Sequence, residues 1–164
     1  MEKMKNFIYL TLFLFLVWMV LVPFQRDEII FGAIASVLIA LIFAGVSNVY
    51  SDFRLTPKAI IYSIIYFFVF IRELVKSNLD VALRVINPKL PINPGIVKVK
   101  TKLKSKIGRI MLANSITLTP GTLTVETKGE YYYIHWIDVT AKDVESASKE
   151  IVTTFEKYLE VMFG

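Results

Sequence analysis

Side chains that commonly carry out catalysis are scarce in this sequence. Its 164 residues include one histidine and no cysteine, which excludes cysteine nucleophiles and thiolate metal sites. His135 precedes Asp138 in a segment with the pattern of a strand, where residues three apart point to opposite faces. A glycine-rich phosphate loop and metal-ligand spacing are also missing from the sequence. We therefore predict a chain that is not an enzyme and holds no cofactor and no metal.

A basic cluster is the most prominent set of charges. The stretch from Pro88 to Val125 contains no acidic residue, and its lysines alternate with Val97, Val99, Thr101 and Leu103. This alternation predicts a strand with one wet, basic face. The face is either a lipid or partner contact or a plain solvated surface, and nucleic acid is not an expected partner because the cluster follows an apolar helix. Its residues are Lys98, Lys100, Lys102, Lys104, Lys106 and Arg109.

Three hydroxyl side chains interrupt an apolar run farther upstream. Tyr62, Ser63 and Tyr66 lie at helical spacing, so they are candidates either for a polar seam or for intramembrane polar packing between helices. A path for protons or sodium would require ionisable residues within the membrane. The stretches 7–24, 29–46 and 59–71 contain no Asp, Glu, Lys, Arg or His, so the chain is not expected to conduct ions by itself.

The elements that position these side chains follow from composition. The chain is 55% hydrophobic and 20% charged, with a net charge of +5, whereas soluble domains are about 45–50% apolar and 25% charged. The apolar residues concentrate in three runs, at 7–24, 29–46 and 57–87, and the last becomes amphipathic after residue 71. We predict a membrane region over 1–87 with about three helices, and a Pro-rich linker over 88–95.

The first run follows Lys3 and Lys5, as a signal peptide would. It is longer than the usual apolar core of such a peptide and lacks a small-x-small cleavage site, which favours a membrane helix. Each of the first two runs spans only about 27 Å as a helix, so whether all three helices cross is left open. Three crossings would place Lys3 and Lys5 opposite the basic cluster, against the positive-inside rule. The side of the N-terminus is therefore also left open.

The remainder, 96–164, has the pattern of a small α+β domain. Period-two and helical segments predict the order strand-helix-strand-strand-helix. Thr119-Pro120-Gly121-Thr122 suits a type II turn, Lys128-Gly129-Glu130 suits a hairpin tip, and the last helix is expected to start at Thr140. The basic cluster places this domain in the cytoplasm. A domain of this size is marginally stable by itself, so docking on partners is expected.

Two segments, Leu112–Val125 (LANSITLTPGTLTV) and Ile134–Val139 (IHWIDV), resemble the E subunit of multisubunit Mrp-type (Mnh-type) cation/proton antiporters. The resemblance implies a non-catalytic assembly subunit of a module that exchanges Na⁺ for H⁺. It also implies a multi-pass cell-membrane protein whose partners are the bilayer and the other subunits. The module is either free-standing or part of a membrane-bound hydrogenase-like respiratory complex. The alternative is a membrane-anchored module that binds anionic lipid or a ligand through its basic face.

Overall fold

The computed structural model describes residues 2–43, 53–54 and 56–164, with side chains from residue 4 onward. Contacts divide the chain into two compact units, Met1–Phe53 and Arg54–Gly164. In its described part the first unit contains α1 (Glu2–Leu21) and α2 (Arg26–Phe43). The second contains α3 (Pro57–Ile86), β1 (Gly95–Lys100), α4 (Lys106–Leu118), β2 (Thr122–Lys128), β3 (Tyr131–Trp136), α5 (Val144–Ile151) and α6 (Thr153–Phe163).

The first unit is a helical hairpin whose interface is lined by small residues. Gly32, Ser36 and Ala40 recur once per turn of α2 and are buried. A Cβ on Gly32 would come closer than 3.0 Å to three atoms of the Trp18 indole on α1. Small side chains at this spacing let two helices approach closely, as they do in membrane proteins. The approach of α1 to α2 therefore depends on the absence of a side chain at position 32.

The bounds of these two helices differ from the predicted ones. The first ends at Leu21 rather than 24, because Pro23 and its predecessor do not continue a helix. The second begins at Arg26, where Asp27 and Glu28 lie favourably in the first turn; residues 44–46 of its predicted range lie outside the described residues. Among the helices described, only Met4–Leu21 is long and apolar enough to cross a membrane. The prediction of three such helices is therefore wrong by this measure, since Met4–Leu21 has one charged residue, whereas every 18-residue stretch of α2 and α3 has at least three.

Helix α3 matches its predicted range and packs against the sheet domain. It starts at Pro57, where the Thr56 hydroxyl accepts a hydrogen bond from the Ala59 amide, and it ends before Asn87 and Pro88. Its first half packs on α6 within the second unit, and the predicted position of this half in the bilayer stays a prediction. The predicted linker at 88–95 separates a membrane region from a cytoplasmic domain, and this division stays a prediction. The boundary between the two compact units lies elsewhere, between Phe53 and Arg54.

The Pro-rich linker is hydrogen-bonded to the domain that follows it. The Asn93 amide donates to the Ile137 carbonyl at 3.1 Å, and the Val139 amide donates to the Asn93 carbonyl at 2.8 Å. The Asn93 side chain also donates to the Val139 carbonyl. The linker is thus part of the fold of the second unit, rather than a free spacer between two parts.

The domain has the predicted α+β order, with the last helix in two segments. Within the described residues the strands form one antiparallel sheet in the order β1-β3-β2. Gly121 has φ +93° and the Thr122 amide bonds the Thr119 carbonyl, as a type II turn requires. The last helix begins after Asp143 rather than at Thr140, because Asp143 and Ser146 cap its first turn reciprocally. The hydrogen bonds from Ser146 hold the pKa of Asp143 below its usual value.

Strand β1 is shorter than the alternation of its side chains predicts. It ends at Lys100, yet Thr101 and Leu103 stay buried. The outward amides at this edge are covered by helices, since Lys100 N–H donates to Ser148 Oγ at 2.8 Å and Lys102 N–H donates to Glu156 Oε1 at 2.7 Å. Covering an edge strand in this way prevents its pairing with other chains.

Candidate functional site

One face of α3 packs on the domain through aromatic rings. The ring centroids of Tyr66 and Phe70 each lie 6.4 Å from that of Phe155 in α6. Tyr62 lies 6.1 Å from Tyr158, one turn farther along α6. Contacts at such distances add to the free energy gained by burying the rings. The N-terminal half of α3 is thereby fixed alongside α6.

The three hydroxyls predicted to take part in intramembrane polar packing make their contacts inside the second unit. The Tyr66 hydroxyl forms a buried hydrogen bond with the Ser115 hydroxyl of α4. Ser63 Oγ donates to the Ala59 carbonyl in its own helix at 2.8 Å, and Tyr62 packs on Tyr158. The contacts of Tyr62 and Tyr66 therefore join α3 to its own domain. The placement of all three hydroxyls within a membrane stays a prediction.

Arg84 connects the C-terminal half of α3 to the same domain through hydrogen bonds. Its guanidinium donates to Asp138 Oδ2 and to the Pro91 carbonyl, each at 2.7 Å, and to Asp80 Oδ2 at 2.7 Å. The hydrogen bonds to Asp80 and Asp138 raise the pKa of Arg84 above its usual value. From the sequence we considered Asp138 only as a partner for His135. The four-residue spacing of Asp80 and Arg84 on one helix could have predicted their ion pair. It could not have predicted the contact of Arg84 with Asp138.

A cavity of about 380 Å³ lies between the polar face of α3 and the domain. Its walls include the Thr119–Thr122 turn and the Trp136–Asp138 segment, together with Glu73, Asp80 and Glu150. Arg84 and Lys76 also line it, so both signs of charge are present. A cluster of His, Cys, Asp and Glu suited to a metal ion is not found in the described part of the chain. The cavity thus belongs to the junction that positions α3.

The predicted basic face exists, and two of its lysines are partly engaged. Lys98 Nζ lies 3.8 Å above the Tyr131 ring centroid, and Lys100 Nζ lies 3.3 Å from Glu130 Oε1. Both lysines are exposed while Val99 between them is buried, so they project from the sheet face turned away from the helices. Lys102, Lys104 and Lys106 are exposed, and Arg109 donates to the Gly129 carbonyl. Their role in lipid or partner contact stays a prediction.

Comparison with known proteins agrees with this architecture. Residues 11–162 match the family model described as "MNHE: Na+/H+ ion antiporter subunit". The chain is 46% identical to the E subunit of the Na(+)/H(+) antiporter of Alkalihalophilus pseudofirmus over 54% of this chain and 56% of that protein. It is 34% identical to the E1 subunit of the Na(+)/H(+) antiporter of Staphylococcus aureus over 78% of this chain and 76% of that protein.

One solved structure is similar over almost the whole chain. It is a chain of the membrane-bound sulfane sulfur reductase, an archaeal respiratory membrane complex, with 42% identity and a TM-score of 0.86. The similarity covers 97% of this chain and 99% of that chain, whereas the match with the Alkalihalophilus relative spans little more than half of that protein's length. The family model covers most of the chain, and the chain therefore belongs to the family of Na⁺/H⁺ antiporter E subunits.

Proposed function

We propose that this chain is a structural, non-catalytic subunit of a multisubunit Na⁺/H⁺ antiporter module in the cell membrane. The observation that carries the proposal is the apolar surface of α1 and α2, which lack charged residues over Asn6–Leu21 and Ile29–Phe43. Leu12, Leu16 and Val20 on α1 are exposed in the isolated chain. A surface of this kind requires lipid or the helices of other subunits, but it offers no ionisable group that would carry an ion.

The module is either free-standing or built into a membrane-bound respiratory complex. Similarity to a chain of the sulfane sulfur reductase over almost the whole length supports the second form, and similarity to antiporter E subunits supports the first. In both forms the other subunits of the complex are the partners. The chain contributes the hairpin and the sheet domain, while ion movement takes place in other subunits.

We infer a topology with two crossings, by α1 and by the charge-free run 29–46, which begins within α2 after its charged first turn. The support is the packing of α3 on its own domain, which argues against a third crossing by α3. An even number of crossings puts the N-terminus and the C-terminal domain on the same side of the membrane. Lys3 and Lys5 then share the cytoplasmic side with the basic cluster, as the positive-inside rule favours. The conflict that three crossings create does not arise.

Co-purification of the tagged chain from its native membranes tests the proposed function. We expect it to bring down antiporter subunits, and to bring down redox subunits as well if the host is a respiratory complex. A mass-spectrometric inventory of the purified complex is the measurement. Recovery of the chain as a stable monomer without any other membrane subunit would contradict the proposal.

The basic face provides the rival function, a membrane-anchored module that binds anionic lipid. Its support is the exposure of Lys98, Lys100, Lys102 and Lys104 on one surface of the domain. We expect the variant with all four changed to glutamine to assemble normally and to keep its binding to anionic vesicles, because Lys98 and Lys100 lie on the sheet face away from the helices and Lys102 and Lys104 are exposed beyond the end of β1. Vesicle co-sedimentation of the purified complex measures this. Loss of vesicle binding with assembly intact would favour the rival function.

A further inference from the structure

Helix α3 has an apolar face along its length, bordered in mid-helix by the exposed Arg72. Eight exposed apolar side chains recur every three or four residues, each between 39% and 77% exposed, and Ile60, Ile65, Phe67 and Val85 are exposed beside them. This spacing places the eight on one side of an α-helix. We call this face the apolar stripe; it consists of Ile61, Ile64, Phe68, Ile71, Val75, Leu79, Leu83 and Ile86. It runs for about 38 Å at 1.5 Å per residue.

The opposite face of α3 is attached to the domain at both ends. Tyr62 and Tyr66 contact α6 near the start of the helix, and Arg84 bonds Asp138 near its end. An upright α3 crossing the bilayer would carry α6 with it. The exposed Lys157 and Glu160 of α6 flank Tyr158, which packs on Tyr62. Placing these charges in hydrocarbon is strongly unfavourable, which argues against an upright α3.

We propose that α3 lies in the plane of the membrane, with its apolar stripe in the boundary between headgroups and acyl chains. A helix with one apolar and one polar face and basic residues beside the apolar one is typical of this position. Lys58, Arg72 and Lys76 are exposed cations on α3, and they complement anionic headgroups. The acidic Glu73 turns toward the domain, with its side chain 18% exposed.

The bilayer is the occupant that the charges favour over a helix of another subunit. Coverage by one apolar helix would leave Arg72 and Lys76 beside a nonpolar partner, whereas at the membrane surface both reach phosphate groups. The proposal rests on the proposed anchoring by α1 and α2.

Single-cysteine labelling tests this placement, and the chain offers a clean background because it has no cysteine. Cysteine replaces Ile64, Val75 or Leu83 in the stripe, and Leu118 provides an exposed apolar control on α4. Each variant is purified within its complex, labelled with a fluorophore and placed in vesicles containing anionic lipid. Quenching by nitroxides at two depths along the acyl chain gives the depth of each label. Quenching by iodide reports contact with water.

We expect the three stripe labels to lie at the same shallow depth, and the Leu118 label to be quenched by iodide alone. Depths that pass from one interface through the bilayer centre would overturn the proposal in favour of a crossing helix. Labels protected from both nitroxides and iodide would overturn it in favour of another subunit, and iodide quenching equal to that at Leu118 would show a solvated face. Failure of the unlabelled protein to co-purify with other subunits contradicts the proposed function instead.

A charge-introducing pair provides the matched control. With the label at Val75, the double change Leu79→Glu and Leu83→Glu should reduce lipid quenching several-fold, because two carboxylates draw the stripe out of the acyl region. Leu118→Glu with Val125→Glu introduces the same charges at exposed apolar positions elsewhere and should leave quenching unchanged. Equal effects of the two pairs would overturn the proposal.

Discussion

Changing Gly32 to valine is expected to abolish incorporation of the chain into its complex. Any Cβ at this position comes closer than 3.0 Å to atoms of the Trp18 ring, and valine adds two methyl groups beyond it. The bulky Trp18 ring has no flexible end that could move aside, so α1 and α2 must separate. Helices in lipid associate mainly through close packing, so a separated pair also presents an altered surface to the other subunits.

The measurement is the amount of this chain that co-purifies with the complex after equal expression. Ala33→Val is the matched control, because Ala33 is the next residue of α2 and its side chain is exposed. We expect the control to assemble at the level of the unaltered protein and Gly32→Val to fall at least tenfold. Normal assembly of Gly32→Val would show that the hairpin does not depend on the small-residue interface.

Changing Glu156 to alanine is expected to destabilise the sheet domain by about 2–3 kcal/mol. Glu156 is buried in α6, and Oε1 accepts hydrogen bonds from Thr101 Oγ1 at 2.5 Å and from Lys102 N–H at 2.7 Å. Removing the carboxylate leaves a buried hydroxyl and an edge amide without these acceptors. A domain with a free energy of unfolding of about 5–10 kcal/mol would lose a large part of it.

Hydrogen exchange of the full chain in detergent measures this effect. Amides of Val99 and Tyr132 lie in the core strands, and we expect them to exchange about 30- to 150-fold faster in Glu156→Ala. Glu160→Ala is the control, since Glu160 lies one turn later in α6 and its side chain is exposed. Equal protection in both variants would mean that Glu156 contributes nothing to the junction between α6 and β1.

Local structure followed from local sequence in most of the second unit. The predicted range 57–87 for α3 was confirmed, because Pro57 suits a first turn and Asn87-Pro88 cannot continue the helix. The Pro-Gly turn at 120–121 was confirmed because only glycine readily accepts its φ of +93°. The predicted start of the last helix was wrong by three residues. Thr140 and Asp143 can each cap a helix, and the structure uses Asp143, which forms a capping box with Ser146.

Side-chain partners distant in sequence were not predicted. The contacts of Arg84 with Asp138 and of Glu156 with Thr101 each join residues more than fifty positions apart. Neither pair leaves a periodic signal, since each needs only one suitable group on each element. The small residues Gly32, Ser36 and Ala40 did carry a readable signal in their regular spacing, but in the sequence they were taken only as interruptions of an apolar run.

The sequence by itself determined the family, the lengths of the main elements and the separation of the most apolar part from the basic one. Composition and period depend on neighbouring residues, so they are readable without a fold. Only the tertiary structure decided where α3 belongs. Its sequence has an apolar run and an amphipathic run, and hydropathy cannot say which side meets lipid and which meets protein. The packing of Tyr62, Tyr66 and Phe70 on α6 assigns one side of the helix to protein, because Tyr66 is buried and the other two rings are partly buried against their own domain.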